Sequence, residues 1–230
     1  MLATNLDPLS GFRDFMPKDA VFRQRVVTAV MRVFEGYGFM PLETPAVERP
    51  EILEGKYGEE GAKLIFRIMR RGNELDSAFM AAHEAQKIGV RRFADLLVLS
   101  DGALRYDLTV PLARVVARNI NDLSWPFKRY QIAPVWRADK PGEGRFREFY
   151  QCDVDTVGSV SMSADAEYVL IINDTLTTVG FDNFYIRINN RKLLDGLMDK
   201  FEVEVDKRPR ALQLIDKLDK LDPDQVLGEM

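Results

Sequence analysis

The sequence predicts an α+β fold, an antiparallel sheet flanked by helices. Three observations carry that prediction. At the centre of the chain "FKRYQIAPVWR" and "RFREFYQCDVDTVG" read as paired strands around "ADKPGEG", whose proline and glycines suit a hairpin connection. Helical segments are scattered among the strands and do not alternate with them regularly, which argues against a doubly wound parallel sheet. Neither GxGxxG nor GxxxxGK[ST] occurs, so the two commonest glycine-rich nucleotide loops are absent.

Taken in order, the first helix is expected near Pro17, with Phe22, Val26, Val30, Val33, Phe34 and Tyr37 at helical spacing until Gly36 and Gly38 end it. The strand that follows, "FMPLETPAVERPE", carries Pro41, Pro45 and Pro50. Proline cannot donate to a ladder, so this strand belongs at a sheet edge or a subunit boundary. Residues 56–72 read as a glycine-punctuated loop around a short strand, "KLIFRIM". Residues 74–97 read as a helical excursion with His83 as an exposed helix residue.

"ALRYDLTVPLARVVARNI" is expected to begin as a strand, with Arg105, Asp107 and Thr109 on one side and Leu104, Tyr106 and Leu108 on the other, and to turn helical after Pro111. After the hairpin, a helix over 163–179 has Ser163 as its predicted N-cap, Asp165 and Glu167 in its first turn, and Gly180 past its end. "NFYIRINN" reads as a further strand; "RKLLDGLMDKF" and "RPRALQLIDKLDKL" read as helices.

Composition narrows the function. With 230 residues, 46% of them apolar, the chain holds one large domain or two small ones with an ample core. Lys and Arg number 32 against 36 Asp and Glu, so any polyanion must be met by a local patch. Cys152 is the single cysteine and His83 the single histidine, which exclude an internal disulfide and leave zinc only a carboxylate shell, so no metal site is expected. No signal peptide or membrane span is evident, and a soluble cytoplasmic protein is expected.

Strand parity locates the chemistry. Side chains alternate along a strand, so on the return strand Arg145, Arg147, Phe149, Gln151, Asp153 and Asp155 face one way, and Phe146, Tyr150, Cys152 and Val154 the other. On the outgoing strand Arg129, Gln131, Ala133, Val135 and Arg137 oppose Tyr130, Ile132, Pro134 and Trp136. A solvated outer face is the plain explanation of the polar side. Arg, Gln, Asp and an aromatic are an unusual mixture for it, however, and the 105–109 strand offers a similar side, so three strands could line one polar floor. Arginine forks match phosphates, carboxylates pair with ammonium groups, and an aromatic ring stacks on a purine. Cys152 falls on the apolar side and is expected to be inert packing.

On these residues a family resemblance rests. "FKRYQIAPVWRADKPGEGRFREFYQCDVD" resembles motif 2 of class II aminoacyl-tRNA synthetases, and "YGFMPLETP" the end of motif 1, with its proline at Pro45. "GFRDFMP", "ALRYDLTVPLAR" and "FREFYQCDVD" resemble the histidyl-tRNA synthetases in particular. The resemblance implies a class II synthetase-like antiparallel sheet, truncated before motif 3, with ATP, magnesium, L-histidine and tRNA(His) as cofactor and partners, and a homodimer. It implies that residues 1–202 form the N-terminal part of the catalytic core, with motif 1 around 30–45, an insertion at about 74–97 and motif 2 at about 127–155. Residues 203–230 would start a helical insertion, with no anticodon-binding domain present.

By the same resemblance Arg137 is the motif 2 arginine on the α-phosphate and the substrate carboxylate, Arg145 reaches the terminal phosphates, and Phe149 stacks on adenine. Asp139 stands where many relatives carry a glutamate beside the adenine edge. Asp107, Thr109, Gln151 and Asp155 would surround histidine's amino group and imidazole. Arg147 is expected to be a solvated charge at the loop end. Aminoacylation by this chain alone is expected to be negligible. Two other readings stay open: a noncatalytic histidine-binding relative, the regulatory subunit of ATP phosphoribosyltransferase, and a class II synthetase for another amino acid.

Overall fold

The structure, a computed structural model, describes residues 5–54, 64–87, 99–217, 222 and 225. It divides the chain into two compact units, Met1–Phe184 and Tyr185–Met230.

In the first unit α1 spans Pro17–Gly36 with its proline at the start, where a missing N–H costs nothing. Val30 and Phe34, one turn apart, are its buried residues, while Phe22 is 69% exposed, so only the C-terminal half of the apolar stripe is used. The chain then forms β1 (Met40–Pro41), β2 (Val47–Glu48) and α2 (Pro50–Glu54). β3 (Arg67–Met69), α3 (Asn73–Lys87) and β4 (Ser100–Leu104) follow. His83 is exposed on α3, as expected; the remainder of the expected 74–97 helix and the 56–63 loop lie outside the described residues.

After β4 come α4 (Thr109–Arg118), β5 (Phe127–Trp136), β6 (Glu148–Val157) and α5 (Met162–Thr178). The expected 105–109 strand does not form: β4 stops at Leu104 and Thr109 already opens α4. Asp107 Oδ1 accepts the backbone N–H of Val110 at 3.0 Å and so starts the helix. Pro111 falls within the first turn, whose N–H groups have no intrahelical acceptor, and is no obstacle there. The cap of α5 is Ser161, which accepts from Ser163 N, so the helix begins ahead of the predicted Ser163 cap.

Among the described residues two three-stranded sheets form, in the orders β1-β5-β6 and β2-β4-β3. β5 and β6 are antiparallel over ten residues each, with Arg129 opposite Asp155, Ala133 opposite Gln151 and Val135 opposite Phe149. β1 adds in parallel at the edge, with Met40 opposite Arg129, which places Pro41 where the proline argument put it. Odd-numbered residues therefore share one side of the hairpin across both strands.

The even side carries the core. Tyr130 packs with Val30, Phe34, Phe39 and Ile171, joined by Ile132, Val154 and Tyr168. Burying side chains of the size of Val30 and Phe34 contributes about 1.5–3 kcal/mol each. Tyr130 OH donates to Glu35 Oε1 at 2.8 Å, and Lys128 Nζ donates to Tyr37 O at 2.6 Å and Glu167 Oε1 at 2.8 Å, fastening both helices to the strand. The core does not reach the far end of β6: Tyr150 is 43% exposed and Cys152 is also exposed, contrary to its expected packing role.

In the second unit α6 (Arg191–Lys200) starts at Asn190, whose side chain accepts from Lys192 N, and α7 (Arg208–Lys217) follows. Met198 and Leu214 are buried, and Arg208 donates to Asp199 Oδ1 at 2.5 Å. Residues 183–190, expected as a strand, enter no ladder.

Candidate functional site

The odd side of β5 is not a solvated outer face. Arg129 is 0% exposed, Gln131 4% and Val135 0%, and β6 contributes half-buried Phe149, Gln151 and Asp155 beside them. The third component of the floor is the turn into α4, which brings Asp107 in from the side, where a third strand was expected.

Arg137 follows β5 directly. Its Nε donates to Tyr106 O at 3.0 Å, its backbone N–H donates to Arg147 O at 2.9 Å, and its guanidinium lies 5.1 Å from the Phe149 ring centroid. Phe149 in turn packs on Leu108, Ala133 and Val135. Held by a carbonyl on one side and a ring on the other, the Arg137 fork is preorganised.

Arg145 and Asp139 meet across the loop, with Arg145 Nη2 on Asp139 Oδ2 at 2.9 Å and Arg145 65% exposed. Gly142 and Arg145 exchange backbone hydrogen bonds of 3.1 and 3.0 Å, which closes the loop tip. Both residues thus stand at the loop end of the floor, bonded to each other.

At the opposite end Asp107 is 5% exposed and its Oδ1 is engaged by the Val110 N–H at the start of α4. Thr109, the first residue of that helix, is exposed. Gln151 Oε1 is buried with no hydrogen-bond partner among the described residues, an acceptor of the kind that costs about 1–3 kcal/mol to leave unused. Asp155 pairs with Arg129 at 2.6 Å.

Two buried arginines were not foreseen as site residues. Arg129 lies under the floor, bonded to Asp155 and, through Nη2, to Leu108 O at 3.2 Å, so it ties β6 to the turn that carries Asp107 and Thr109. Burial pulls its pKa down, opposed by the nearby carboxylates Asp155, Asp153 and Asp107. Arg105 donates to Pro134 O at 3.0 Å and Thr44 O at 2.7 Å, joining the two sheets behind the site. Its pKa is also lowered by burial, and Glu48 opposes that. The signal available for Arg129 was its place on the odd side of β5, directly across from Asp155.

Arg147 was expected to be a solvated charge and is half-buried instead. Its Nε donates to Asp139 O at 3.0 Å and its Nη1 to Ser10 O at 3.3 Å.

A crystal structure of histidyl-tRNA synthetase from Nostoc sp. PCC 7120 superposes with a TM-score of 0.76 at 34% identity, covering 97% of this chain and 44% of that one. The Bacillus halodurans C protein described as an ATP phosphoribosyltransferase regulatory subunit/histidyl-tRNA synthetase shares the fold at a TM-score of 0.67 and 22% identity, covering 93% of this chain and 47% of that chain. The first unit, with its helix-backed hairpin, thus has the class II aminoacyl-tRNA synthetase fold. A model of the histidyl-tRNA synthetase family matches residues 73–229. The histidine–tRNA ligase of Cytophaga hutchinsonii is 44% identical over 220 residues, 96% of this chain and 47% of the relative, and that of Gloeobacter violaceus is 42% identical over 239 residues, 98% and 48%. The chain belongs to the histidyl-tRNA synthetase family, and it spans about half the length of the curated relatives it matches.

Proposed function

We propose that this chain supplies the ATP- and histidine-binding floor of a histidine–tRNA ligase. The observation that carries the proposal is the odd side of the hairpin, which sets Arg137 against Phe149 at one end and the Gln151, Asp155 and Asp107 group at the other.

In the complete protein a carboxylate oxygen of histidine attacks the α-phosphate of ATP. The new O–P bond forms as the bond to the β-phosphate bridge breaks, giving histidyl-adenylate and pyrophosphate. The histidyl group then passes to the 3′ end of tRNA(His), and AMP leaves. No side chain needs to become covalently attached, so the protein's task is positioning and charge stabilisation. Arg137 meets the α-phosphate and the substrate carboxylate, Phe149 stacks on adenine, and Asp139 lies beside it. Arg145 turns from Asp139 to the terminal phosphates. Asp107, Thr109, Gln151 and Asp155 receive the ammonium and imidazole N–H groups, for which the unpartnered Gln151 Oε1 is a ready acceptor.

Among the described residues no group of three or more His, Cys, Asp or Glu side chains could hold a metal ion. In the family reading magnesium arrives with the nucleotide. No helix among the described residues is long and apolar enough to cross a membrane. The family reading carries with it a homodimer formed through residues 30–45, a cytoplasmic location, and a catalytic core over 1–202 followed by a helical insertion from 203.

Histidine-dependent ATP–pyrophosphate exchange by the full-length protein is the test. Exchange supported by a different amino acid alone would point to another class II synthetase. Histidine binding with no exchange would point to a noncatalytic regulatory relative.

A further inference from the structure

We propose that Arg147 is a positioning residue which, with Ser10 and Gly11, braces the loop between β5 and β6 and so fixes where Arg145 and Asp139 stand. The brace itself rests on geometry alone; its consequence for ATP rests on the proposed function above.

Arg147 is bonded in three directions. Its backbone N–H donates to Gly11 O at 2.8 Å, its Nη1 to Ser10 O at 3.3 Å and its Nε to Asp139 O at 3.0 Å, while its carbonyl accepts from Arg137 N at 2.9 Å. One planar fork therefore joins an N-terminal segment to the start of the loop, and the same residue's main chain joins both to Arg137. A lysine in its place could not hold two carbonyls in that fixed geometry.

Gly11 is what lets the two segments close. Its φ is +87°, in the region that disfavours other residues, and a Cβ there would stand 2.7 Å from Arg147 Cγ and 2.9 Å from Pro141 Cγ. The segment is fastened further along by alternating cations and rings. Arg13 lies 3.8 Å from the Phe146 centroid and 4.5 Å from that of Phe15, and Arg23 lies 4.1 Å from Phe15 and 4.8 Å from Tyr150. Phe146, Arg13, Phe15, Arg23 and Tyr150 thus stack in sequence along the even side of the hairpin, each cation–ring pair attractive. The rings of this stack, Phe146 and Tyr150, belong to the even side, opposite the floor.

A loop ordered in advance does not have to be ordered by its ligand, so affinity for that ligand rises. The brace should therefore act on ATP and leave histidine, bound at the far end of the floor, unaffected.

Hydrogen exchange on this chain tests the brace directly. In Arg147→Ala and in Gly11→Ala, exchange across residues 138–146 should accelerate about tenfold or more, while segments 128–134 and 150–156 keep the wild-type rate. Arg147→Lys should recover only part of the protection. The double variant should fall short of the sum of the two single effects, because Arg147→Ala removes Arg147 Cγ and Cδ from the path of an alanine at 11, while Pro141 Cγ and the φ of +87° still oppose it. Unchanged loop exchange in Arg147→Ala overturns the proposal, as does equal acceleration through the whole hairpin or full rescue by lysine. In the full-length protein Arg147→Ala should raise the ATP KM about tenfold with the histidine KM unchanged. An unaltered ATP KM there overturns the positioning role. Wild-type protein without histidine-dependent exchange defeats the proposed function, and the exchange pattern of the loop still decides the brace.

Discussion

The Arg129–Asp155 pair should respond very unequally to removal of one partner or the other. Arg129 is 0% exposed and Asp155 29%, and they meet at 2.6 Å. Asp155→Asn takes the paired carboxylate from a wholly buried cation and leaves it Leu108 O at 3.2 Å and the charges of Asp153 and Asp107, and breaking a buried pair in this way costs about 3–5 kcal/mol. Arg129→Met leaves a carboxylate whose side chain is 29% exposed although its Oδ2 is buried. It also removes Nε and Nη1, two buried donors that meet no acceptor among the described residues and whose burial is itself unfavourable. The loss should be about 1–2 kcal/mol, closer to that of an exposed pair than of a buried one. The double variant should resemble Arg129→Met and regain about 2 kcal/mol over Asp155→Asn. Urea unfolding followed by tryptophan fluorescence suits the measurement, because Trp125 and Trp136, the chain's two tryptophans, both lie in the first unit. Arg129→Met proving the more damaging change, or the two losses simply adding, would refute the reasoning.

Three further outcomes follow from single contacts. Arg137→Ala in the full-length protein should lower kcat for histidine activation at least 100-fold, the loss of about 3 kcal/mol expected when a preorganised donor is removed from a developing charge; a change confined to KM would remove Arg137 from that role. The Tyr37 hydroxyl, 2.6 Å from Asp174, holds that carboxylate below its usual range, helped by Asn173. Its folded pKa being depressed, the stabilisation is present above the ordinary carboxylate value and is lost as pH falls through the folded value. Tyr37→Phe should therefore lower the thermal midpoint at pH 7, with the deficit closing below about pH 4. Burial, and next the Glu35 hydrogen bond, push Tyr130 up to about 12, so its contribution is complete below the usual tyrosine value and fades between about pH 10 and 12. Tyr130→Phe should make that stretch of the stability–pH curve shallower, leaving the share of Tyr37 and Tyr168, whose pKa values are also raised, and an unchanged curve would refute the Tyr130 contribution.

Much of the site could be read without coordinates because strand alternation is a local property. Two-residue periodicity set Arg129, Gln131 and Val135 on the side that also carries Phe149, Gln151 and Asp155, and the antiparallel register keeps them there. Pro41 spoke for an edge because a missing N–H is equally local, whereas Pro45 lies between strands and Pro50 opens α2. The same alternation misled at 105–109. There the Asp107 side chain accepts the Val110 N–H and helps start a helix, and that local hydrogen bond prevails over a short polar-apolar alternation.

What the sequence by itself determined is which side chains share a side of the hairpin, where α1 begins and where the sheet has its edge. Propensity, periodicity and the absence of a proline N–H act over a few residues and are present in any local reading. Only the tertiary structure decided what those side chains meet. Arg147 looked like a loop-end charge because the Ser10 carbonyl that holds it is 137 residues away. Arg129 looked like one polar residue among several because its burial depends on Asp155 and Leu108 converging on it from different elements. Partners at such separations are set by how the sheets and helices pack, and no short-range pattern records them.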